Sequence, residues 1–168
     1  MERRYTFFLY AAYSLELLLL FILQTTPLLI PELFGGKPLL MIPAVVTVSL
    51  MEEQVPALFF GLAGGALLDL GCSDNLGYYT ITLTLICFLL GFIFRDYMVV
   101  SFLNAMGFTS AVTLVTVFFY FIFFILLSGR ADFSYFVSHC LSRILYTIVC
   151  TVPLYFINKF LFRNLRDF

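Results

Sequence analysis

Long apolar runs, cut at Pro, Gly and charged positions, divide the chain into six segments: residues 5–23, 38–51, 55–70, 77–94, about 98–127 and about 135–160. No segment shows the apolar/polar alternation of a membrane β-strand. Hydrocarbon offers backbone N–H and C=O groups no partner, so each span must satisfy its own hydrogen bonds, and an all-α bundle is expected. Segments two and three are short for full crossings, which local thinning of the bilayer or snorkelling of flanking residues would accommodate. Segment five is long and carries Asn104 and Gly107 early, so it is expected to start as an interfacial stretch before residues 108–127 cross. Prolines 43, 56 and 153 are tolerable where neighbouring helices re-satisfy the freed carbonyls, and Pro153 is expected to kink the last helix. The expectation is one transmembrane domain over residues 1–168, an all-α integral membrane protein with six transmembrane helices.

Composition agrees with the pattern. The chain is 62% hydrophobic and 11% charged, with mean hydropathy +1.06, against about 25% charged for soluble domains. At about 20 residues per crossing, 168 residues leave no room for a soluble domain. The net charge is -1 and no dense basic run exists, which sets aside nucleic-acid binding. The start, Met1-Glu2-Arg3-Arg4 and an apolar run to Leu23, has the outline of a signal peptide. The residues after it, Gln24-Thr25-Thr26-Pro27, offer no small-x-small cleavage site, so it is read as a retained first span. With six spans, Arg3, Arg4, Arg95, Lys159, Arg163 and Arg166 share one side, and only Lys37 and Arg130 the other. The positive-inside rule then places both termini in the cytoplasm. Cys87, Cys140 and Cys150 fall in apolar spans and Cys72 in a loop, with no CxxC pair; neither a disulfide framework nor metal or redox chemistry is expected.

The sharpest local pattern is Ala57, Gly61, Gly65 and Asp69, four residues at i, i+4 spacing that form one stripe of the third helix. Small residues let helix backbones approach closely, which matters in lipid because packing drives helix association. The fourth segment carries an answering stripe, Thr80, Thr84, Cys87 and Gly91, after a linker of only six residues, 71–76. A close antiparallel hairpin is expected. Asp69 ends its stripe near the outer surface, where it would orient the following loop or receive a partner, or only cap its own loop through local backbone bonds. Asp74 and Asn75 are placed as caps of helix four.

Glu16 and Arg143 are the ionisable residues deepest in their spans, at depths of about 17 Å and about 23 Å by helical rise. An intramembrane ion pair between them would relieve a cost of roughly 2.5 to 3.5 kcal/mol for each charge at mid-bilayer. The alternative leaves Arg143 snorkelling outward near His139 and Glu16 protonated. His139 is the only histidine, which excludes bis-histidine metal sites and the HExxH motif. A Ser73–His139 pair has no supporting motif, and Asp69 with Asp74 in one short hairpin does not make the facing carboxylates of an aspartyl protease. No catalytic residue, cofactor or metal site is therefore expected. The run Phe118 to Phe124 is aromatic on all sides and reads as lipid-facing bulk, while Tyr5, Tyr10, Tyr97 and Tyr135 sit near span ends as interfacial anchors.

The run Gly61-Leu-Ala-Gly-Gly-Ala-Leu-Leu-Asp69-Leu-Gly71, then Leu76-Gly77 and an apolar helix closing on Leu90-Gly91, resembles the central signature of the MreD family of rod shape-determining proteins. The first helix ending in Leu23-Gln24-Thr25-Thr26, Pro153 in the last helix and the basic tail from Lys159 to Arg166 are similar too. The resemblance implies a non-enzymatic subunit of the bacterial cell-wall elongation complex in the cytoplasmic membrane. Its implied partners are an MreC-type single-span protein, the MreB filament, RodA, a class B penicillin-binding protein and membrane lipids. The small-residue face of helix three (Ala57, Gly61, Gly65, Asp69, with Thr84 and Gly91 opposite) or the outer hairpin would be the dock. MreD proteins also look similar in fold to the six-helix substrate-binding subunits of energy-coupling-factor vitamin transporters, which supplies a second reading as a solute-binding subunit. Outer loops rich in Leu, Ile and Gly offer that reading few polar groups, with Arg143 and His139 as its candidates.

Overall fold

The computed structural model describes residues 2–26, 38–72, 77–97, 101–122 and 142–166, and every regular element among them is helical. The helices are α1 (Glu2–Thr25), α2 (Met41–Met51), α3 (Gln54–Cys72), α4 (Tyr78–Tyr97), α5 (Phe102–Tyr120) and α6 (Ser142–Arg166). Four of them are long and apolar enough to cross a membrane: α1 over Phe7–Thr25, α3 over Gln54–Gly71, α5 over Phe102–Tyr120 and α6 over Arg143–Asn164. The apolar stretches of α2 (Met41–Met51) and α4 (Tyr78–Ile93) are shorter. Eleven residues of α2 rise about 16 Å, half of a hydrocarbon core about 30 Å thick.

α2 need not cross by itself, because it lies inside the protein. Its sequence, Met-Ile-Pro-Ala-Val-Val-Thr-Val-Ser-Leu-Met, is apolar on every side, and all of its residues are buried, as expected of a helix without a polar face. It touches each of the other five helices. Those five close a ring around it, α1 on α3, α3 on α4, α4 on α5, α5 on α6 and α6 back on α1. Their outer faces carry the large exposed side chains, among them Phe7, Leu18, Phe59, Ile81, Leu103 and Val149, which is where lipid would lie.

A helix end inside a bundle must find partners for its backbone groups. Gln24 of α1 accepts the Met41 N–H through Oε1 at 3.3 Å, and Thr147 of α6 accepts the Leu39 N–H at 3.0 Å. Ile42 and Ala44 donate to the carbonyls of Leu39 and Leu40. Pro43 has no N–H and sits in the first turn, where that donor would have been orphaned anyway. Pro56 is likewise the third residue of α3, so helix position, rather than rescue by neighbours, makes both prolines harmless. Pro153 lies inside α6. At the far end of α2 the Glu52 N–H donates to Val48. Buried hydroxyls of Thr47, Ser49, Thr113, Thr116 and Thr151 donate to carbonyls one turn back, the usual way such groups are satisfied without water.

α5 departs from its sequence expectation. It runs unbroken from Phe102, so Asn104 and Gly107 belong to the spanning helix and not to an interfacial prelude. The reason is its buried stripe, which starts at Ala105 and continues through Thr109, Val112, Thr113 and Thr116. The first turns are therefore packed like the rest.

The satisfied N-terminus of α2 is testable. Thr147→Val keeps the shape and leaves the buried Leu39 N–H without its acceptor, at a cost of about 1–3 kcal/mol; Thr147→Ser retains the oxygen. Thermal unfolding of the purified protein in nanodiscs is expected to show a lower Tm for the valine variant and near wild-type behaviour for the serine variant.

Candidate functional site

Three features in the structure combine unusual chemistry with defined geometry: the α3–α4 contact, a lateral groove between α1 and α3, and a polar cluster joining α1, α2 and α6.

The α3–α4 pair makes the most extensive helix contact of the fold. Every member of the α3 stripe meets α4. A Cβ on Gly65 would stand 2.6 Å from the Thr80 Cα and 2.7 Å from the Tyr79 carbonyl oxygen, and one on Gly61 would stand 2.9 Å from the Cys87 Cβ and 3.2 Å from the Thr84 Cα. Farther down, a Cβ on Gly91 would meet the Ala57 Cβ at 3.0 Å. The contacts run antiparallel, 65 beside 80, 61 beside 84 and 57 beside 91. Backbone thus lies against backbone, with the hydrogen at each Cα as the only spacer.

Asp69 completes the contact. Its carboxylate accepts the Tyr79 N–H at 3.0 Å, the Thr80 N–H at 2.8 Å and the Thr80 hydroxyl at 2.5 Å. Tyr79 and Thr80 are the second and third residues of α4, so Asp69 does what an N-cap residue does, but from the neighbouring helix. The negative charge also meets the positive end of the α4 dipole. Gly77, at φ +99°, turns the chain into α4 through backbone that L side chains rarely adopt. Asp69 is 3% exposed and engaged within the chain, so of the roles open to it the geometry shows capping, of α4 and not of its own loop. Of the two roles open to Ala57, Gly61, Gly65 and Asp69, helix packing is the one they fill here, since Thr84, Gly91 and their neighbours on α4 cover that face. The proposed caps Asp74 and Asn75, and the outer hairpin with Ser73, lie outside the described residues.

An open apolar groove of about 640 Å³ lies between α1 and α3, lined by Tyr10, Ser14, Leu17, Val55, Phe59 and Ala63 among others. Small side chains at Ser14 and Ala63 leave room there. Tyr10 is turned into the protein, its ring edge-on to Phe60 at 5.7 Å, rather than serving as a simple interfacial anchor. No local pattern marks this groove, because it arises between residues 10–18 and 55–67, which lie far apart in the chain.

The third feature surrounds Glu16. Both carboxyl oxygens are buried with no donor at full hydrogen-bonding distance, and the Asn158 side-chain amide faces the carboxyl group as a more distant donor. The structure does not bring Glu16 and Arg143 together. Arg143 opens α6 and Asn158 is fifteen residues farther along, so the guanidinium's helix position is about 22 Å above the level of Glu16. Counting depth from residue 158 as the cytoplasmic end had placed Arg143 too low, since α6 continues to Arg166. His139 and Cys140 lie outside the described residues, as do the side chains of Tyr5, Tyr97 and Tyr135. Phe118 and Phe119 are exposed and Phe121 is buried, so the aromatic run is lipid-facing only in part.

Among the described residues the fold is an all-helical bundle in which five helices ring α2 and four are long and apolar enough to cross a membrane. Compared with known proteins, the chain matches no family model, no curated protein and no solved structure.

The close approach predicts an order of sensitivity. Gly65→Ala places a methyl group into α4 backbone and is expected to lower Tm, whereas Gly107→Ala, with nothing within 4 Å, is expected to leave it unchanged. Asp69→Ala removes the cap of α4 and should cost about 0.5–2 kcal/mol, with Asp69→Asn intermediate; circular dichroism melts of the four variants in one detergent check the ranking.

Proposed function

We propose that the chain is a non-enzymatic, multi-pass subunit of the bacterial cell-wall elongation complex, of the MreD kind, residing in the cytoplasmic membrane with both termini inside. It works by lateral helix contact with a single-span partner of the MreC kind, in an assembly with MreB, RodA and a class B penicillin-binding protein. The observation that carries this reading is the distribution of packing: α2 fills the middle of the ring, while apolar space is left on the side, between α1 and α3. A solute-binding subunit, the alternative drawn from vitamin transporters, needs its free volume in the middle with polar groups converging on it.

The groove suits a transmembrane helix. Lipid-facing association relies on close contact at small residues, and Ser14 and Ala63 supply them between larger walls. The resemblance of the Gly61–Gly71 run to the MreD signature adds to this reading, and the structure supplies a physical reason for such a run, since Gly61, Gly65 and Asp69 each occupy a place that no larger or neutral side chain would fill equally well.

Filling the groove should separate binding from folding. Ser14→Phe and Ala63→Phe are expected to reduce co-purification of the single-span partner from bacterial membranes at least tenfold while Tm stays near wild type. Leu103→Phe, on the exposed face of α5, should bind normally. Equal recovery of the partner with all three variants would remove the groove as the dock.

A further inference from the structure

We propose that the α1–α3 groove, before any partner helix enters it, holds one acyl chain of a phospholipid from the leaflet on the N-terminal side of α1, with a headgroup that carries both phosphate and ammonium at its mouth, beside Arg3, Arg4 and Glu53. Insofar as the lipid is what a partner helix displaces, the inference rests on the reading of the groove as a dock; lipid binding by the free subunit does not.

Helix register sets the shape of the site. Phe60 of α3 meets Tyr10 and Tyr13 of α1, with ring centroids 5.7 Å and 5.5 Å apart. Farther along both helices Gly71 is seated against Phe21 and Thr25, since a Cβ there would stand 2.6 Å from the Phe21 ring and 2.8 Å from the Thr25 methyl group. α1 and α3 therefore run parallel, and the groove is closed at that end. Its lining on α3 extends from Val55, in the first turn, to Leu67, a helical rise of about 18 Å. One leaflet contributes about 15 Å of hydrocarbon, half of the bilayer core. A trough one leaflet long and shut toward the other matches a single acyl chain. Ser14, midway along, gives its proton to the Tyr10 carbonyl at 2.8 Å, and Leu17, Leu18, Phe59 and Leu67 make walls that call for an apolar occupant.

The mouth carries both signs of charge. Arg3 and Arg4 stand in the first turn of α1, and by its spacing Arg3 shares a helical face with Tyr10, Ser14 and Leu17. The register set by Phe60 and Gly71 brings that turn level with Glu52 and Glu53, which precede α3, and Glu53 is exposed. Guanidinium groups recognise phosphate oxygens, and a carboxylate attracts an ammonium group. A zwitterionic aminophospholipid answers both, whereas a purely anionic headgroup meets repulsion from Glu53.

Native mass spectrometry of the full-length protein, released without a partner from nanodiscs of equimolar phosphatidylethanolamine and phosphatidylglycerol, tests this. Wild type is expected to retain one phosphatidylethanolamine, enriched several-fold over phosphatidylglycerol. Ser14→Phe and Ala63→Phe, which fill the trough, should lower retention roughly tenfold, and Leu103→Phe should not. Glu53→Gln should still hold a lipid but bring the headgroup ratio close to one. No retained lipid in wild type, or retention unchanged in both trough variants, overturns the site; phosphatidylglycerol held equally or better by wild type overturns the headgroup chemistry. If the phenylalanine variants do not fold, Ala63→Leu and the ratio in Glu53→Gln decide. Lipid loss and partner loss are read separately: a free subunit that retains no lipid but still recovers the single-span partner through the groove removes the lipid and leaves the dock, and the reverse result removes the dock alone.

Discussion

A helix of eleven residues cannot bridge hydrocarbon, and hydrocarbon cannot solvate the ends of a helix. α2 meets both limits only by being enclosed, and the rest of the architecture follows from that enclosure. Its first turn needs acceptors, so Gln24 and Thr147 must reach it from α1 and α6. Its apolar sides need neighbours, so five helices surround it. The hydroxyl of Thr47 needs a partner once its proton is given to its own backbone, and Asn158 supplies it. Polar residues on three helices are thus placed by one short element that has almost no polarity of its own.

Enclosure does not make the ring uniform. In lipid, apolar burial between helices gains little, because acyl chains are as apolar as leucine, and association depends on close packing and a few polar bonds. Between α3 and α4 both are present, with glycine against backbone and a carboxylate at the neighbouring helix dipole. Between α1 and α3 the bulk of Phe59, Phe60, Leu17 and Tyr10 holds the helices apart and leaves a groove. One side of the ring is saturated by its own contacts, and the other leaves an open groove.

Much of this organisation was legible along the chain. The stripe at 57, 61, 65 and 69 could be read because i, i+4 spacing is a local property of a helix, and an answering stripe after six residues allows few arrangements other than a hairpin. α2 was harder. Hydropathy marks a segment as apolar without telling lipid from protein, so 38–51 looked like a short span. Its burial is reflected in what it lacks, since residues 41–51 contain no aromatic side chain, whereas α1 and α5 carry Phe7, Phe8, Phe118 and Phe119 toward the outside. The partnership of Thr47 with Asn158 spans 111 positions and has no local signature. The Glu16–Arg143 pairing rested on counting residues from helix ends, but α6 continues to Arg166, and Asn158, about four turns farther along α6 than Arg143, stands near Glu16 instead.

The polar bonds inside this ring are individually modest; interhelical hydrogen bonds in membranes average about 0.6 kcal/mol, because the separated helices also find partners. Satisfied threonines therefore add specificity more than stability, and substituting one of them changes one bond. The bond between Asn158 and Thr47 is different in reach, because it joins residues 111 positions apart in the chain through a fully buried carboxamide. The Asn158 side chain cannot turn without giving up its bond to α2, and the Glu16 carboxyl cannot leave without unpacking the α1 face that also carries Tyr13, Leu17 and Leu20. The Asn158–Thr47 bond is in this sense a structural component of the α2–α6 junction, as Asp69 is of the α3–α4 junction.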